Sequence, residues 1–289
     1  MAEFLVNGQK QQQLHVADRG LSYGDGVFET IAVVKGKALL WNAHLQRMRM
    51  GAKRLNIDFC SQLEEDFYAD FQLLCAAFES SGVLKLILTR GIGERGYKID
   101  PSAAVTRIAV ISSLPDMSFE QQQGISVFLC RTQLARQPLL AGIKHLNRLE
   151  QVIARSEWSD PSITEGLVCD TQGNIIEGCM SNLFWLHDNQ LFTPDLSFAG
   201  VAGVVRDALI ELCKIQQIIE VKQGHYPLLA LASAEEMFVC NSVFGILPVV
   251  DVKGGNPELI FSNAPLPIGA LTQTLQQRLQ QFYLKVAWQ

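Results

Sequence analysis

Alternating apolar and polar positions predict a mixed α+β fold for the first part of the chain. Period-two alternation, typical of half-buried strands, marks the segments 4–6, 27–34, 83–90 and 105–112. Asn-Gly and Lys-Gly turns after the first two of these favour hairpins. Apolar residues at helical spacing predict two helices, one capped by Asn42 and reaching about residue 55, the other running from Ser61 to about residue 80.

The pattern changes after residue 113. The stretch 114–124 contains Pro, Asp, Ser and three consecutive Gln residues, which is typical of a linker. Beyond it the alternation predicts short strands joined by tight turns and three helices: 148–158 capped by Asn147, one beginning near Val204, and 270–284. The sequence therefore predicts a small N-terminal α+β domain at 1–115, a linker at 116–124 and a larger mixed α/β domain at 125–289.

Composition and charge exclude several classes of protein. The 289 residues are 48% hydrophobic and 18% charged, which fits a folded globular protein. A net charge of −5 without a long basic run argues against nucleic acid as a partner. No apolar run approaches the ~20 residues that span a bilayer, and no signal peptide is expected. Seven scattered cysteines and five histidines without ligand spacing predict reduced thiols, no metal site and a cytoplasmic location.

One glycine-rich segment raises the possibility of a dinucleotide site. Gly91, Gly93 and Gly96 match the pattern G-x-G-x-x-G after a predicted strand. That fingerprint requires a helix to begin at the third glycine, whereas Asp100-Pro101 predicts a turn here. We therefore expect these glycines to let a loop bend tightly over another part of the protein.

Four positions admit both a functional and a plain structural interpretation. Lys144 has apolar neighbours, so it is either a partly buried nucleophile or a solvated loop lysine. Glu177 ends a short apolar run and either meets a positive partner or faces water from an edge strand. Small residues before Val204 either bind phosphate through free amides or simply begin a helix. Lys85 lies in a strand whose two faces both look buried, and it either reaches an edge or meets an anion.

Several separated segments point to the same family. They are Tyr23-Gly24-Asp25-Gly26-Val27-Phe28-Glu29-Thr30, His44-Leu45-Gln46-Arg47-Met48, Lys144, Glu177 and Ser181-Asn182-Leu183-Phe184. Together they resemble the fold-type IV pyridoxal-phosphate enzymes, which include branched-chain and D-amino-acid aminotransferases and 4-amino-4-deoxychorismate lyases. The resemblance implies a two-domain α+β fold with the cofactor in the cleft between the domains, and a homodimer.

Within this family the finer resemblance is to the lyases. The run Gly142-Ile143-Lys144-His145-Leu146-Asn147-Arg148-Leu149-Glu150-Gln151 is similar to the lyase pattern almost throughout, and the segments 90–97 and 240–249 also resemble it. Aminotransferases of this fold usually carry Gly where Asn241 stands. Glu29 departs from the trend, because this position varies among lyases and resembles the aminotransferases here.

The resemblance also implies roles for the cofactor-binding residues. Lys144 would carry pyridoxal 5′-phosphate and act as the base, and Glu177 would pair with the pyridine nitrogen and keep it protonated. One arginine and a helix N-terminus form an adequate cradle for a dianionic phosphate. The implied phosphate ligands are Arg47, the amides of Val204 and Val205, and Ser242.

The reaction implied is an elimination that gives 4-aminobenzoate and pyruvate, a step of folate-precursor synthesis. Lys85, Arg95 and Asn241 would hold the two substrate carboxylates, and Thr30 would relay a proton to the leaving enol. Two alternatives remain open: a D-amino-acid or branched-chain aminotransferase on the same fold, and a cofactor-free binding protein. A half-reaction assay would identify an aminotransferase. The colour of the purified protein would distinguish a cofactor-free binding protein from a pyridoxal-phosphate enzyme.

Overall fold

The chain folds into two compact units. The computed structural model describes residues 3–76, 81–254 and 265–286. The first unit comprises Met1–Pro115, Ile143–Asn147 and Val286–Gln289, and the second comprises Asp116–Gly142 and Arg148–Lys285. The segment that carries Lys144 therefore clusters with the first unit, although the sequence assigned it to the domain at 125–289.

The first unit contains a six-stranded antiparallel sheet, in the order β2-β1-β6-β5-β3-β4. Its strands are β1 (Glu3–Val6), β2 (Gln9–Lys10), β3 (Gly26–Val34), β4 (Lys37–Ala38), β5 (Gly82–Thr89) and β6 (Thr106–Ser113). Its helices are α1 (Arg19–Tyr23), α2 (Trp41–Arg54) and α3 (Ser61–Ala76). Both predicted hairpins are confirmed, and the first turns at Asn7 and Gly8, whose φ angles are 49° and 78°.

Helices α2 and α3 pack against one face of this sheet. The core between them includes Leu84, Leu86 and Leu88 of β5, each fully buried. Lys85 points to the opposite face and is exposed. The expectation that both faces of this strand are buried is therefore wrong for the first unit, because the helices cover only one face.

In the first unit, helix α2 begins earlier than predicted and helix α1 was not predicted. Asn42 is not the cap of α2, because the helix already begins at Trp41 and is preceded by Leu40, which has a φ of 54° and provides no side-chain hydrogen bond. Helix α1 was not predicted; Asp18 caps it by accepting a hydrogen bond from the amide of Gly20 (2.8 Å). The predicted end of α3 near residue 80 lies outside the described residues.

The second unit contains a nine-stranded mixed sheet, in the order β12-β11-β10-β14-β15-β7-β8-β9-β13. Its strands are β7 (Ile125–Leu134), β8 (Ile163–Asp170), β9 (Asn174–Gly178), β10 (Asn182–His187), β11 (Gln190–Pro194), β12 (Val221–Gly224), β13 (Tyr226–Pro227), β14 (Glu236–Asn241) and β15 (Gly245–Gly254). Its helices are α4 (Ser118–Gln123), α5 (Leu149–Arg155), α6 (Val204–Ile215) and α7 (Ala270–Val286), with a 3₁₀ helix at Leu228–Ser233.

Two predictions for this part of the chain need correction. The stretch expected to be a linker contains helix α4. Helix α5 is shorter than predicted and has no side-chain cap. Asn147, the expected cap, belongs to the first unit, where its side-chain amide donates to the carbonyl of Gly24 (3.1 Å).

The glycine-rich segment 91–96 does not have the geometry of a dinucleotide fingerprint. It connects β5 to β6, which are antiparallel neighbours, and no helix follows it. The fingerprint requires a parallel strand–helix–strand unit. Within the described ranges, no helix is both long and apolar enough to cross a membrane.

Candidate active site

Lys144 is held against strand β3 by its main chain. The amide of Phe28 donates to the carbonyl of Lys144 (2.9 Å), and the amide of Leu146 donates to the carbonyl of Gly26 (3.0 Å). The Lys144 side chain is half-buried, and its Nζ lies 4.5 Å from the centre of the Phe28 ring. The amine of Lys144 thus lies over an aromatic face, where a cation is electrostatically favoured.

Two other predicted residues lie on this same face of the sheet. Thr30 follows Phe28 by two positions, so their side chains share one face of β3, and Thr30 is the cross-strand partner of Lys85. The Nζ of Lys85 is 5.2 Å from the centre of the Phe28 ring. The first unit therefore brings Lys144, Thr30 and Lys85 together around one phenylalanine.

The opposite face of β3 carries a buried ionic network. Glu29 is fully buried, and its carboxylate accepts from Arg47 Nε (2.8 Å) and from Arg47 Nη2. The Nδ1 of His44 lies 2.6 Å from Glu29 Oε2. Burial by itself would raise the pKa of Glu29, but the charge and hydrogen bonds of Arg47, aided by His44, lower it from 4.5 to about 2. Glu29 is thus an anion that orients Arg47, the predicted phosphate ligand.

His44 in this network is neutral. Burial, together with the positive charges of Arg47 and Lys144, lowers its pKa below 6.5 despite the hydrogen bond and charge of Glu29, which raise it. A neutral imidazole can still donate Nδ1–H to the carboxylate. Its Nε2 is buried and has no hydrogen-bond partner among the described residues.

Arg95 lies on the exposed loop between β5 and β6. It occupies the fifth position of the glycine-rich segment, one residue before Gly96. The loop belongs to the same unit as Lys85 and Thr30. The proposed role of Arg95 in holding a carboxylate stays a prediction at this point.

In the second unit, Glu177 points inward. It lies near the end of β9, is only 4% exposed, and its Oε2 accepts from the amide of Val201 (2.8 Å). The alternative of a water-facing glutamate on an edge strand is therefore wrong. Arg148 provides a nearby cation: burial lowers its pKa, and the negative charges of Glu177 and Glu150 partly offset that effect.

Helix α6 of the second unit begins at Val204 and follows Gly203. No side chain in the described part of the chain caps it, and Val204 and Val205 form the first turn. A side chain at residue 203 would not fit, because its Cβ would lie 1.9 Å from Asn182 Oδ1. Asn182 in turn donates to the carbonyl of Val201 (2.9 Å). The start of α6 is therefore fixed in position and retains the amides that an anion requires.

Asn241 is the last residue of β14, and Ser242 begins the turn to β15. The Oδ1 of Asn241 accepts from the amides of Val243 (2.9 Å) and Phe244 (3.0 Å), and its Nδ2 donates to the carbonyl of Met180 (3.1 Å). These bonds give Asn241 a clear structural role in the turn. Its side-chain amide has a second N–H, which could donate a hydrogen bond to the substrate, as the prediction for Asn241 requires.

Sequence reasoning missed the network around Glu29, although a signal for it was present. Val27 and Ile31 flank Glu29 on one face of a strand, so a carboxylate there must be buried and must have a cation. His44 and Arg47 are three residues apart on a helix and share a face with Leu45 and Met48. Packing this face of α2 against the Val27–Ile31 face of β3 would have predicted that His44 and Arg47 contact Glu29.

Taken separately, each unit offers groups that suit a phosphorylated aldehyde with a basic ring nitrogen. The first unit provides the amine of Lys144, which can form an imine. The second provides the buried carboxylate of Glu177 and the uncapped start of α6, which suit a protonated nitrogen and a phosphate. Each unit therefore provides groups that suit one part of pyridoxal phosphate.

Comparison with known proteins agrees with this chemistry. Residues 26–252 match the family described as amino-transferase class IV. The chain is 36% identical to an aminodeoxychorismate lyase of Vibrio harveyi over 96% of this chain and 99% of that protein. The structure resembles the crystal structure of 4-amino-4-deoxychorismate lyase from Pseudomonas aeruginosa, with a TM-score of 0.87 and 42% identity over 96% of this chain and 98% of that one.

A solved branched-chain amino acid aminotransferase from Escherichia coli has the same fold at greater distance. Its TM-score is 0.83 and its identity 23%, over 97% of this chain and 94% of that one. At this identity the likeness concerns the fold alone. The motif match, the two-unit α+β architecture and the family comparison agree, and this chain belongs to the aminotransferase class IV family of fold-type IV enzymes.

Proposed function

We propose that this protein is a 4-amino-4-deoxychorismate lyase, which releases 4-aminobenzoate and pyruvate. The observation that carries the proposal is the 42% identity to a solved lyase over nearly the whole chain, against 23% to a branched-chain aminotransferase of the same fold. The lyase-like segment around Lys144 also supports it, and the Nζ atoms of Lys144 and Lys85 both lie near the Phe28 ring, at 4.5 and 5.2 Å from its centre.

Enzymes of this family depend on pyridoxal phosphate. When bound, the cofactor supplies an electron sink for the removal of a proton beside the substrate nitrogen. We propose that Lys144 binds it covalently and that Glu177 pairs with its ring nitrogen. The proposed phosphate ligands are Arg47, the amides of Val204 and Val205, and Ser242.

The remaining steps belong to the protein's own side chains. The Nζ of Lys144 takes the proton from the substrate carbon that bears nitrogen. Lys85 and Arg95, together with Asn241, hold the two carboxylates. The hydroxyl of Thr30 delivers a proton to the departing enol, which becomes pyruvate, and the ring that remains becomes aromatic, which makes the overall step favourable.

The deciding experiment incubates the purified protein with aminodeoxychorismate and follows 4-aminobenzoate and pyruvate. We expect this conversion to be faster than that of D-alanine or leucine with 2-oxoglutarate. Faster transamination would instead identify the protein as an aminotransferase. A colourless protein that takes up no pyridoxal phosphate would point to a binding protein.

Arg95→Gln and Lys85→Met are expected to weaken substrate binding. Each removes one charge-assisted contact to a carboxylate, worth roughly 1.5–3 kcal/mol, or about ten- to a hundred-fold in kcat/KM. The Michaelis constant should rise while the absorbance of the bound cofactor stays unchanged. Arg54→Gln, at the end of α2, provides a matched control. Normal kinetics in both variants would exclude these residues as carboxylate ligands.

Thr30→Val tests the proton relay. Valine keeps the shape of threonine but lacks the hydroxyl, so kcat should fall by roughly 10²–10⁴-fold, the usual contribution of general acid catalysis. The cofactor spectrum should survive, since Thr30 is not proposed to bind it. Thr274→Val, at a half-buried position on α7, serves as the control. Unchanged kcat in Thr30→Val would mean that another group protonates the product.

We also propose that the protein is a homodimer that works in the cytoplasm. The seven free cysteines suit a reducing compartment.

The surface of helix α5 supports the homodimer. This helix exposes an apolar face formed by Leu149, Val152 and Ile153, which are 75%, 61% and 55% exposed. Val152→Glu should shift the sedimentation coefficient towards the monomer, whereas Gln280→Glu on α7 should not. A monomeric native protein would contradict the proposal.

A further inference from the structure

The glycine-rich loop 91–96 is bound along its length by the segment 17–25. At its start, the amide of Arg19 donates to the carbonyl of Gly91 (2.8 Å). In its middle, the amide of Gly93 donates to the carbonyl of Ala17 (3.2 Å). These main-chain bonds fix the first half of the loop and leave the second half, which carries Arg95, to be held by side chains.

Arg19 provides the first of these side chains. It is only 5% exposed; its Nε donates to Asp25 Oδ2 (2.9 Å) and its Nη1 to the carbonyl of Gly96 (2.9 Å). Its aliphatic stem crosses Gly93, where an added Cβ would lie 2.7 Å from Arg19 Cδ. Glycine at position 93 therefore leaves the space that the Arg19 side chain occupies. The planar guanidinium of Arg19 can then form hydrogen bonds to Asp25 and to the loop at the same time.

Tyr23 provides the second side chain. Its hydroxyl accepts a hydrogen bond from the amide of Gly96 (3.1 Å), so both main-chain polar groups of Gly96 are bound. The ring of Tyr23 lies 4.9 Å from the guanidinium carbon of Arg19 and 5.4 Å from the ring of Tyr97. Gly96 has a φ of 100°, which only glycine adopts readily, so the loop reaches these two side chains because residue 96 is glycine.

Asp25 connects this arrangement to the end of helix α2. Arg90, also 5% exposed, donates to both oxygens of Asp25 (Nε 2.7 Å, Nη2 3.0 Å). The same guanidinium donates to the carbonyls of Leu55 (2.6 Å) and Asn56 (2.7 Å), which follow α2. The carboxylate that orients Arg19 is therefore itself anchored to the helix that carries Arg47.

We propose that Arg19 and Tyr23 form a clasp on Gly96, and that both are positioning residues that hold Arg95 where it binds a substrate carboxylate. The clasp itself stands on the contacts above. Its part in substrate binding rests on the proposed function of Arg95. Without the clasp, Arg95 samples many positions, and substrate binding must restrict them at a cost in affinity.

Tyr23→Phe tests the clasp with the smallest change, because it removes one hydroxyl and keeps the ring. Loss of one net hydrogen bond makes local opening about 2- to 10-fold more frequent. Hydrogen exchange of the peptide that covers 91–100, measured by mass spectrometry without substrate, should accelerate by that factor. Tyr97→Phe is the matched control, since it makes the same change on the partner ring, and its exchange should equal that of the native protein.

Arg19→Lys tests the other half of the clasp. Lysine keeps the charge beside Asp25 but lacks the separate Nε and Nη1 donors with which Arg19 reaches Asp25 and Gly96, so exchange at 91–100 should again accelerate. Thermal unfolding and exchange in β6 are measured alongside, and both should stay close to native values if the effect is local.

The kinetic prediction is a rise in KM for aminodeoxychorismate of about 2- to 10-fold with kcat nearly unchanged, because saturating substrate restores the loop. Unchanged exchange in both variants would overturn the clasp. Accelerated exchange with an unchanged KM would overturn its positioning role. If the native protein has no lyase activity, the proposed function fails, and the exchange result still decides whether the clasp exists.

Discussion

Lys144→Ala is expected to abolish measurable turnover while leaving the first unit folded. The substitution removes the amine that binds the cofactor and the base that takes the substrate proton; loss of the base alone costs roughly 10²–10⁴-fold. The fold should survive because Lys144 is attached to β3 through its main-chain carbonyl, which alanine retains. Turnover of aminodeoxychorismate and the far-ultraviolet circular dichroism spectrum together check this expectation.

Chemical mapping provides the control for this prediction. Borohydride reduction of the native protein, followed by peptide mapping, should place the pyridoxyl group on Lys144. Lys85 is the sharpest competitor, because its Nζ lies 5.2 Å from the same Phe28 ring that Lys144 Nζ approaches to 4.5 Å. Lys85→Met should therefore still be labelled at Lys144, and a label on Lys85 or Lys98 in the native protein would overturn the assignment.

Glu29→Gln is expected to cause the largest loss of stability among the substitutions considered. Glutamine keeps the shape but removes the negative charge of the buried ion pair that Glu29 forms with Arg47, which is 7% exposed. Removal of one partner of a buried ion pair costs about 3–5 kcal/mol. Denaturant unfolding should show this decrease in the free energy of unfolding, whereas Glu211→Gln on the exposed side of α6 should change it by less than about 0.5 kcal/mol.

The pH dependence of this effect has a definite sign. The pKa of Glu29 falls from 4.5 in the unfolded chain to about 2 in the folded protein, equivalent to about 3 kcal/mol of stabilisation. That contribution is fully present above pH 4.5 and is lost as the pH falls towards 2. The stability difference between native protein and Glu29→Gln should therefore shrink below pH 4.5. A difference that stays constant across this range would mean that Glu29 is not charged in the fold.

Local patterns in the sequence predicted most secondary structure of the first unit correctly. The hairpin turns carry Asn7-Gly8 and Lys35-Gly36, in which glycine and asparagine tolerate positive φ, and the structure has positive φ at all four residues. Helix α6 begins where the small residues before Val204 indicated. Such features depend on a few neighbouring residues, so they can be read without knowledge of the fold.

Features that depend on distant partners could not be predicted in this way. Asn42 and Asn147 both suited a helix cap, but α2 begins earlier and Asn147 binds Gly24, more than a hundred residues away. The glycines at 91, 93 and 96 match the dinucleotide-binding fingerprint, but they have another structural role here. Gly93, for example, makes room for the Arg19 side chain. The candidate site residues could be identified only through the family resemblance. A lysine or glutamate in a short apolar run is equally consistent with a purely structural role, so the local pattern alone could not select Lys144 or Glu177.

The placement of residues 143–147 on strand β3 affects the order in which the protein can form during synthesis. Val27 forms a β-bridge with His145, and the main-chain hydrogen bonds of Gly26 and Phe28 are also made with residues 143–147, which are synthesised much later than β3. A nascent chain that ends at residue 115 therefore lacks the segment that covers this part of the edge of β3. Since an uncovered strand edge can pair with another chain, a fragment cut at residue 115 should aggregate, and adding a peptide of residues 141–149 should reduce that tendency. The boundary between the units is for this reason a poor place to divide the gene for separate expression.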